Sequence, residues 1–101
     1  MANEYKFFLT PLAVSDIDEA LAYISEKLAN PIAANNLLTN IEQTIDKICD
    51  FPFAYADCSF FMIQDKNIRH VQVANYLLIY EIVEEKSFVN ILRFRYSAMD
   101  L

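Results

Sequence analysis

Apolar and polar positions along the chain change period near residue 67. Beyond it, three runs rich in Val, Ile, Tyr and Phe follow one another: Ile68–Val73, Tyr76–Val83 and Phe88–Arg95. Such residues suit a pleated, largely buried surface, so each run predicts a strand. Two short turns separate them, Ala74-Asn75 and Glu84–Ser87. Connections this short join antiparallel neighbours, so the three strands form a meander. Asn75 is the turn residue expected to take the left-handed conformation. Before residue 51 the period is helical. Glu4–Leu9 alternates as a first strand. Thr10-Pro11 then opens a helix, with Thr as N-cap and Pro at the first helical position. Val14, Ile17, Leu21, Ile24 and Leu28 step by three and four and predict one buried stripe. Asp16, Asp18 and Glu19 lie toward the positive end of that helix dipole. Asn30-Pro31 ends the first helix and caps a second, whose stripe is Ala34, Leu37, Leu38, Ile41, Ile45 and Ile48. That helix stops before Phe51-Pro52.

Between Phe51 and Lys66 the chain is aromatic but has no clean period; Phe60–Ile63 is the one stretch there that reads as a short strand. The predicted order is β-α-α-β-β-β. The expected fold is therefore α+β: a helical hairpin packed on one face of a four-stranded antiparallel sheet.

Length and composition narrow this picture. The 101 residues predict a single domain, residues 1–101, large enough for one core without staples. Apolar residues make up 55%, above the ordinary share, so part of that surface is expected to be covered by a partner. No apolar run approaches the length needed to span a bilayer, and the N-terminal M-A-N-E-Y-K lacks the pattern of a signal peptide. The expectation is a cytoplasmic protein without membrane contact. Cys49 and Cys58 follow no metal-ligand spacing and are expected to be free thiols. The net charge of −6 argues against binding nucleic acid through a broad basic field. The charge is uneven, however. Up to Asp50 eight acids face three lysines, whereas from Phe51 onward six acids face five cations. With no Gly anywhere, a Gly-rich phosphate loop is excluded.

Candidate chemistry lies on the sheet. All three arginines, Arg69, Arg93 and Arg95, fall in the meander. A guanidinium keeps its charge and must meet water, a carboxylate or a phosphate. Arg93 and Arg95 are two apart and share a strand face, which suits an anion or an acidic partner. Tyr96 follows at the strand end, able to stack on a base or to pack as a core aromatic. His70 is the only imidazole and neighbours Arg69 on the opposite strand face. One His, two scattered Cys and no acidic cluster in the sheet leave no metal or cofactor to expect.

These residues and their order resemble the RelE/ParE toxin superfamily of type II toxin–antitoxin pairs over nearly the whole chain. The resemblance runs through F-L-T-P-L-A-V-S-D-I-D-E-A-L-A-Y-I and N-P-I-A-A-N-N-L-L, and is clearest in I-R-H-V-Q-V-A-N-Y-L-L-I-Y-E-I and V-N-I-L-R-F-R-Y-S-A-M-D-L. It implies a toxin silenced by a cognate antitoxin. It also implies one of two activities: ribosome-dependent mRNA cleavage, as in RelE-like members, or inhibition of DNA gyrase, as in ParE-like members. A degenerate toxin that only binds its antitoxin is a further alternative. For the cleavage reading, which is the first expectation here, the resemblance places the site at Arg69, Arg93, Arg95 and Tyr96, with ribosome and mRNA as partners, and the single His, two scattered Cys and lack of an acidic cluster make the expected cleavage metal-independent. The chain departs from the pattern at Ser97-Ala98-Met99, where many relatives carry Gly and then Arg or Gln. It also lacks the lysine cluster of the best-known ribonucleases.

Overall fold

The computed structural model describes residues 5–58, 65 and 67–97. Its elements follow the predicted order: β1 (Lys6–Leu9), α1 (Pro11–Ala22), α2 (Pro31–Asp50), β2 (Ile68–Val73), β3 (Tyr76–Val83) and β4 (Phe88–Tyr96). Residues Phe60–Ile63, read as a possible strand, lie outside the described residues. Both helices start as the capping rules demand. The Thr10 side chain accepts from the Ala13 N–H at 3.1 Å, and Asn30 Oδ1 accepts from the Ala33 N–H at 3.1 Å. A π-helical turn, Tyr23–Lys27, lengthens α1 before the chain reverses through Ala29 at φ 50°.

The four strands are ordered β1-β4-β3-β2. β2, β3 and β4 form the antiparallel meander, but β1 runs parallel to β4, so the sheet is mixed rather than purely antiparallel. The reason is the connection. A hairpin turn forces antiparallel neighbours, whereas β1 is separated from the meander by two helices, which leaves its direction free. The helices carry the chain across one face of the sheet, and β1 closes the far edge beside the last strand.

One apolar cluster fills the space between helices and sheet, with Ile41 and Ile48 of α2, Leu78, Tyr80 and Ile82 of β3, and Val89, Ile91 and Phe94 of β4 almost fully buried. The α2 stripe lies as predicted, except that Leu38 is partly exposed. In α1 the inward face is rotated. Ala13, Ile17 and Ala20 are buried, while Val14 and Leu28 are exposed. Alanine permits close approach of the α1 backbone to β4, and small residues carry little weight in a hydrophobic stripe.

A bulge in β4 sets the position of every residue after it. Tyr80 pairs with Ile91 and Ile79 with Arg93, so Leu92 has no opposite partner. Strict alternation from Val89 and Ile91 would turn Arg93 and Arg95 into the core. The extra residue reverses the phase: Phe94 is buried against Leu78, and Arg93 and Arg95 pair with Ile79 and Leu77 on the other face.

Candidate functional site

The four candidate residues do not meet. Arg69 pairs with Tyr80 in the sheet register and so lies on the helix-facing side. Its guanidinium donates to the carbonyls of Phe53 at 3.2 Å and Tyr55 at 2.7 Å, and lies 5.2 Å from the centre of the Phe53 ring. The loop after α2 runs beside β2 here. The His70 N–H donates to Ala56 O at 3.0 Å, and Asp57 bridges Arg69 through the backbone. Arg69 thus ties this loop to the sheet through backbone carbonyls and a cation–π contact. The same loop supplies Pro52 O as acceptor for the hydroxyl of the fully buried Tyr80, whose burial pushes its pKa well up.

Arg93 is held by Asp16 of α1. Its Nε and Nη2 donate to the two carboxylate oxygens at 2.7 and 3.1 Å, a bidentate pair. Asp16 Oδ2 also accepts from the Phe94 N–H at 3.0 Å. The hydrogen bond from Arg93, reinforced by that from Phe94, holds the Asp16 carboxyl below the usual carboxylate range against the opposing effect of burial. Beside it, the Thr10 hydroxyl donates to Leu92 O at 2.9 Å and the Thr10 N–H to Ile91 O at 3.1 Å. β1 ends at Leu9, so β4 beyond Ile91 has no strand on that side. Thr10 and Asp16 satisfy the ladder groups of Leu92 and Phe94 in its place.

Arg95 and Tyr96 remain, both exposed, on opposite faces of β4. The Tyr96 ring meets Tyr76 edge-on with centroids 5.7 Å apart, and Tyr76 stacks on Phe94 at 4.7 Å. Tyr23, Leu28 and Asn75 line the same hollow. In the register, Tyr96 lies level with Tyr76 and Arg69 level with Tyr80, two strands away. That separation is roughly 13 Å along the strands and 10 Å across them. His70 is on the face opposite Arg69, as alternation predicts, with Nδ1 3.6 Å from the buried Cys58 Sγ. No group of three metal-ligating side chains occurs among the described residues.

Sequence reasoning missed Asp16, reading it only as a partner of the helix dipole. The signal was present: Thr10-Pro11 and Asp16 are the T-P and D positions of the first motif, and Arg93 opens the R-x-R of the last.

The family model for the ParE toxin of the type II toxin–antitoxin system parDE matches residues 7–101. The chain belongs to the ParE toxin family. A solved structure titled as the chromosomal ParDE TA system from P. aeruginosa shares the fold, with a TM-score of 0.72 over 95% of this chain and 99% of that one, at 13% identity. A search among curated proteins returns no match. The chain is thus a type II toxin, and such systems pair a toxin with a cognate antitoxin. The family match is to the ParE branch and lends no support to translation inhibition by mRNA cleavage. Among the described residues, no helix of this ParE-family chain is long and apolar enough to cross a membrane.

Proposed function

We propose that this toxin inhibits DNA gyrase by binding it, and that the C-terminal end of β4 contributes to the contact. The observation that carries this reading is the dispersal of the four candidate residues. Cleavage of RNA by attack of a 2′-hydroxyl on its adjacent phosphate, with loss of the 5′-oxygen, needs a base, an acid and cations around one reacting phosphate. Here Arg69 is engaged by loop carbonyls, Arg93 by Asp16, and Arg95 and Tyr96 stand on opposite faces of one strand. A binding surface has no need of convergence. Arg and Tyr are both among the side-chain types enriched at the energetic centres of protein–protein contacts, and Arg95 and Tyr96 are both exposed. Membership of the ParE family supports the same target.

The test is induction in cells with plasmid supercoiling and mRNA integrity read in parallel, together with purified gyrase. Loss of negative supercoiling with intact mRNA is expected. Cleavage of ribosome-bound mRNA with normal supercoiling would overturn the proposal. Arg95→Glu and Tyr96→Ala should each lower gyrase inhibition at least about tenfold, the scale of a strong interface residue, in protein that still unfolds cooperatively.

A further inference from the structure

The hollow at the end of β4 lies between the reversal that joins α1 to α2 and the β2–β3 turn. Its volume is about 590 Å³, the size of a small-molecule site. Three tyrosines wall it. Tyr76 opens β3, Tyr96 ends β4, and the two are partners in the ladder. Their ring planes stand at 84° with centroids 5.7 Å apart. Rings set at right angles can hide only one face between them, and Tyr96 stays 65% exposed. The third wall is Tyr23, which begins the π-helical turn and is 53% exposed. The Leu28 N–H donates to Tyr23 O at 3.1 Å. In an α-helix, residues five apart point in different directions. The wider π turn stacks Leu28 on Tyr23 and turns both toward the hollow; such turns occur frequently at functional sites. Burial pushes the Tyr76 phenol up, and the Tyr96 and Tyr23 phenols push it further, so the three hydroxyls are within electrostatic reach of one another.

Among the described residues no charged side chain lines this hollow. Besides the phenols, its polar side chains are the amides of Asn30 and Asn75. That lining selects among guests by charge. An anion would meet the negative faces of the rings, in a chain of net charge −6, and find no cation to pair with. A primary ammonium would surrender strongly hydrated N–H donors for few acceptors, since Asn30 Oδ1 already accepts from the Ala33 N–H. A methylated ammonium has few or no N–H donors to satisfy. It spreads its charge over methyl groups, which sit against ring faces and are attracted by the ring quadrupole.

We propose that this hollow binds a methylated ammonium group, as carried by choline or by a methylated lysine side chain, with Tyr23 and Tyr96 as its walls and Tyr76 at the corner between them. Leu28 supplies an apolar floor for the methyl groups. The net charge of −6 draws a cation toward the chain, and the rings hold it there without a carboxylate. The inference does not rest on gyrase inhibition. Tyr96 enters both, so the test measures ligand binding with no gyrase present, and either reading can fail alone.

The test titrates the full chain, freed from any co-expressed partner in denaturant and refolded, with choline and with its neutral isostere, in which a quaternary carbon replaces the nitrogen. By NMR, the choline methyl protons should shift upfield as they enter the ring currents, and the ring signals of Tyr23, Tyr76 and Tyr96 should move together. Choline should bind in the millimolar range, at least about fivefold tighter than the isostere. Tyr23→Leu and Tyr96→Leu keep apolar bulk but remove a ring, and each should weaken choline at least about fivefold in protein that still unfolds cooperatively. Tyr96→Phe keeps the ring and should bind choline as wild type does. Trimethylated lysine amide, run beside choline, separates the two sources by which binds tighter; either order fits the proposal, and unmethylated lysine amide should bind more weakly than both. An isostere or an unmethylated lysine that binds as tightly as choline would overturn the inference. So would a failure to bind through the millimolar range, or leucine variants that bind choline as wild type. None of these outcomes touches the family assignment.

Discussion

The Asp16 carboxylate accepts three hydrogen bonds, from Nε and Nη2 of Arg93 and from the Phe94 N–H, while its side chain keeps only 10% of its exposure. Removing it strands a guanidinium and a backbone donor together. Asp16→Ala should therefore destabilise the protein by about 1.5–3 kcal/mol at pH 7, the range for hydrogen bonds to charged groups. The sign with pH follows from the lowered pKa. Stabilisation by Asp16 is present above its unfolded pKa of about 3.9 and is lost as pH falls through the lower folded value. Urea titrations of wild type and Asp16→Asn should differ at pH 7, and the difference should shrink as pH falls below the unfolded value of about 3.9 and on through the lower folded one. A second effect at single residues comes from the lack of Gly. Ala29, Ala74 and Ser87 all take positive φ, at 50°, 54° and 55°. An L-residue pays about 1–2 kcal/mol for that region, partly offset in glycine by its greater freedom when unfolded. Ala29→Gly and Ala74→Gly should each stabilise by about 0.5–1 kcal/mol, read as a higher urea midpoint at unchanged slope.

At the scale of elements, the turn and the bulge show what a sequence pattern carries and what it does not. β2 and β3 match their predicted ranges to the residue and β4 runs one residue further, because β-branched and aromatic runs cut by short turns leave little choice of boundary. The left-handed residue of the first turn is Ala74, however, not Asn75. Local propensity favours Asn, but Asn75 O accepts from the Ser97 N–H at 2.8 Å, and the register with β4 fixes its backbone. The candidate site was legible only in part. Arg93 and Arg95 do share a face, as a spacing of two requires. No pattern announces the bulge at Leu92, which decides the face of everything after it. Nor does any local signal announce that Arg69 is enclosed by a loop lacking a clean period. The enclosure has a consequence. Arg69→Ala leaves the Phe53 and Tyr55 carbonyls without their donor and should destabilise the fold by about 1–3 kcal/mol. Arg69→Lys should recover a fraction, since an ammonium lacks the planar fork. Thermal unfolding, with limited proteolysis of residues 53–58, checks both.

Over the whole molecule, apolar surface is distributed unlike that of a protein that works alone. Phe7, Phe8 and Leu9 along β1, Leu12 and Val14 on α1, Leu28 and Ile32 at the helical turn, and Phe51 and Phe53 after α2 are all exposed by more than a third. Single exposed apolar residues are ordinary, but a run of them along a strand at the edge of the described sheet is suited to cover by a partner. The core beneath is well filled, with eight of its large residues almost fully buried, so the surplus is not needed to hold the chain together. A partner covering it stabilises the folded state by mass action and leaves the unfolded chain untouched. At an antitoxin concentration a hundredfold above Kd the gain is about 2.7 kcal/mol. In a domain near this size each kcal/mol shifts the melting temperature by about 4–8 °C, so the complex should melt roughly 10–20 °C above the free toxin. The shift should also grow with the logarithm of antitoxin concentration, which separates binding to the folded state from a fixed change in the protein. A melting temperature that stays constant across a hundredfold range of added antitoxin would show that this surface is not covered by it.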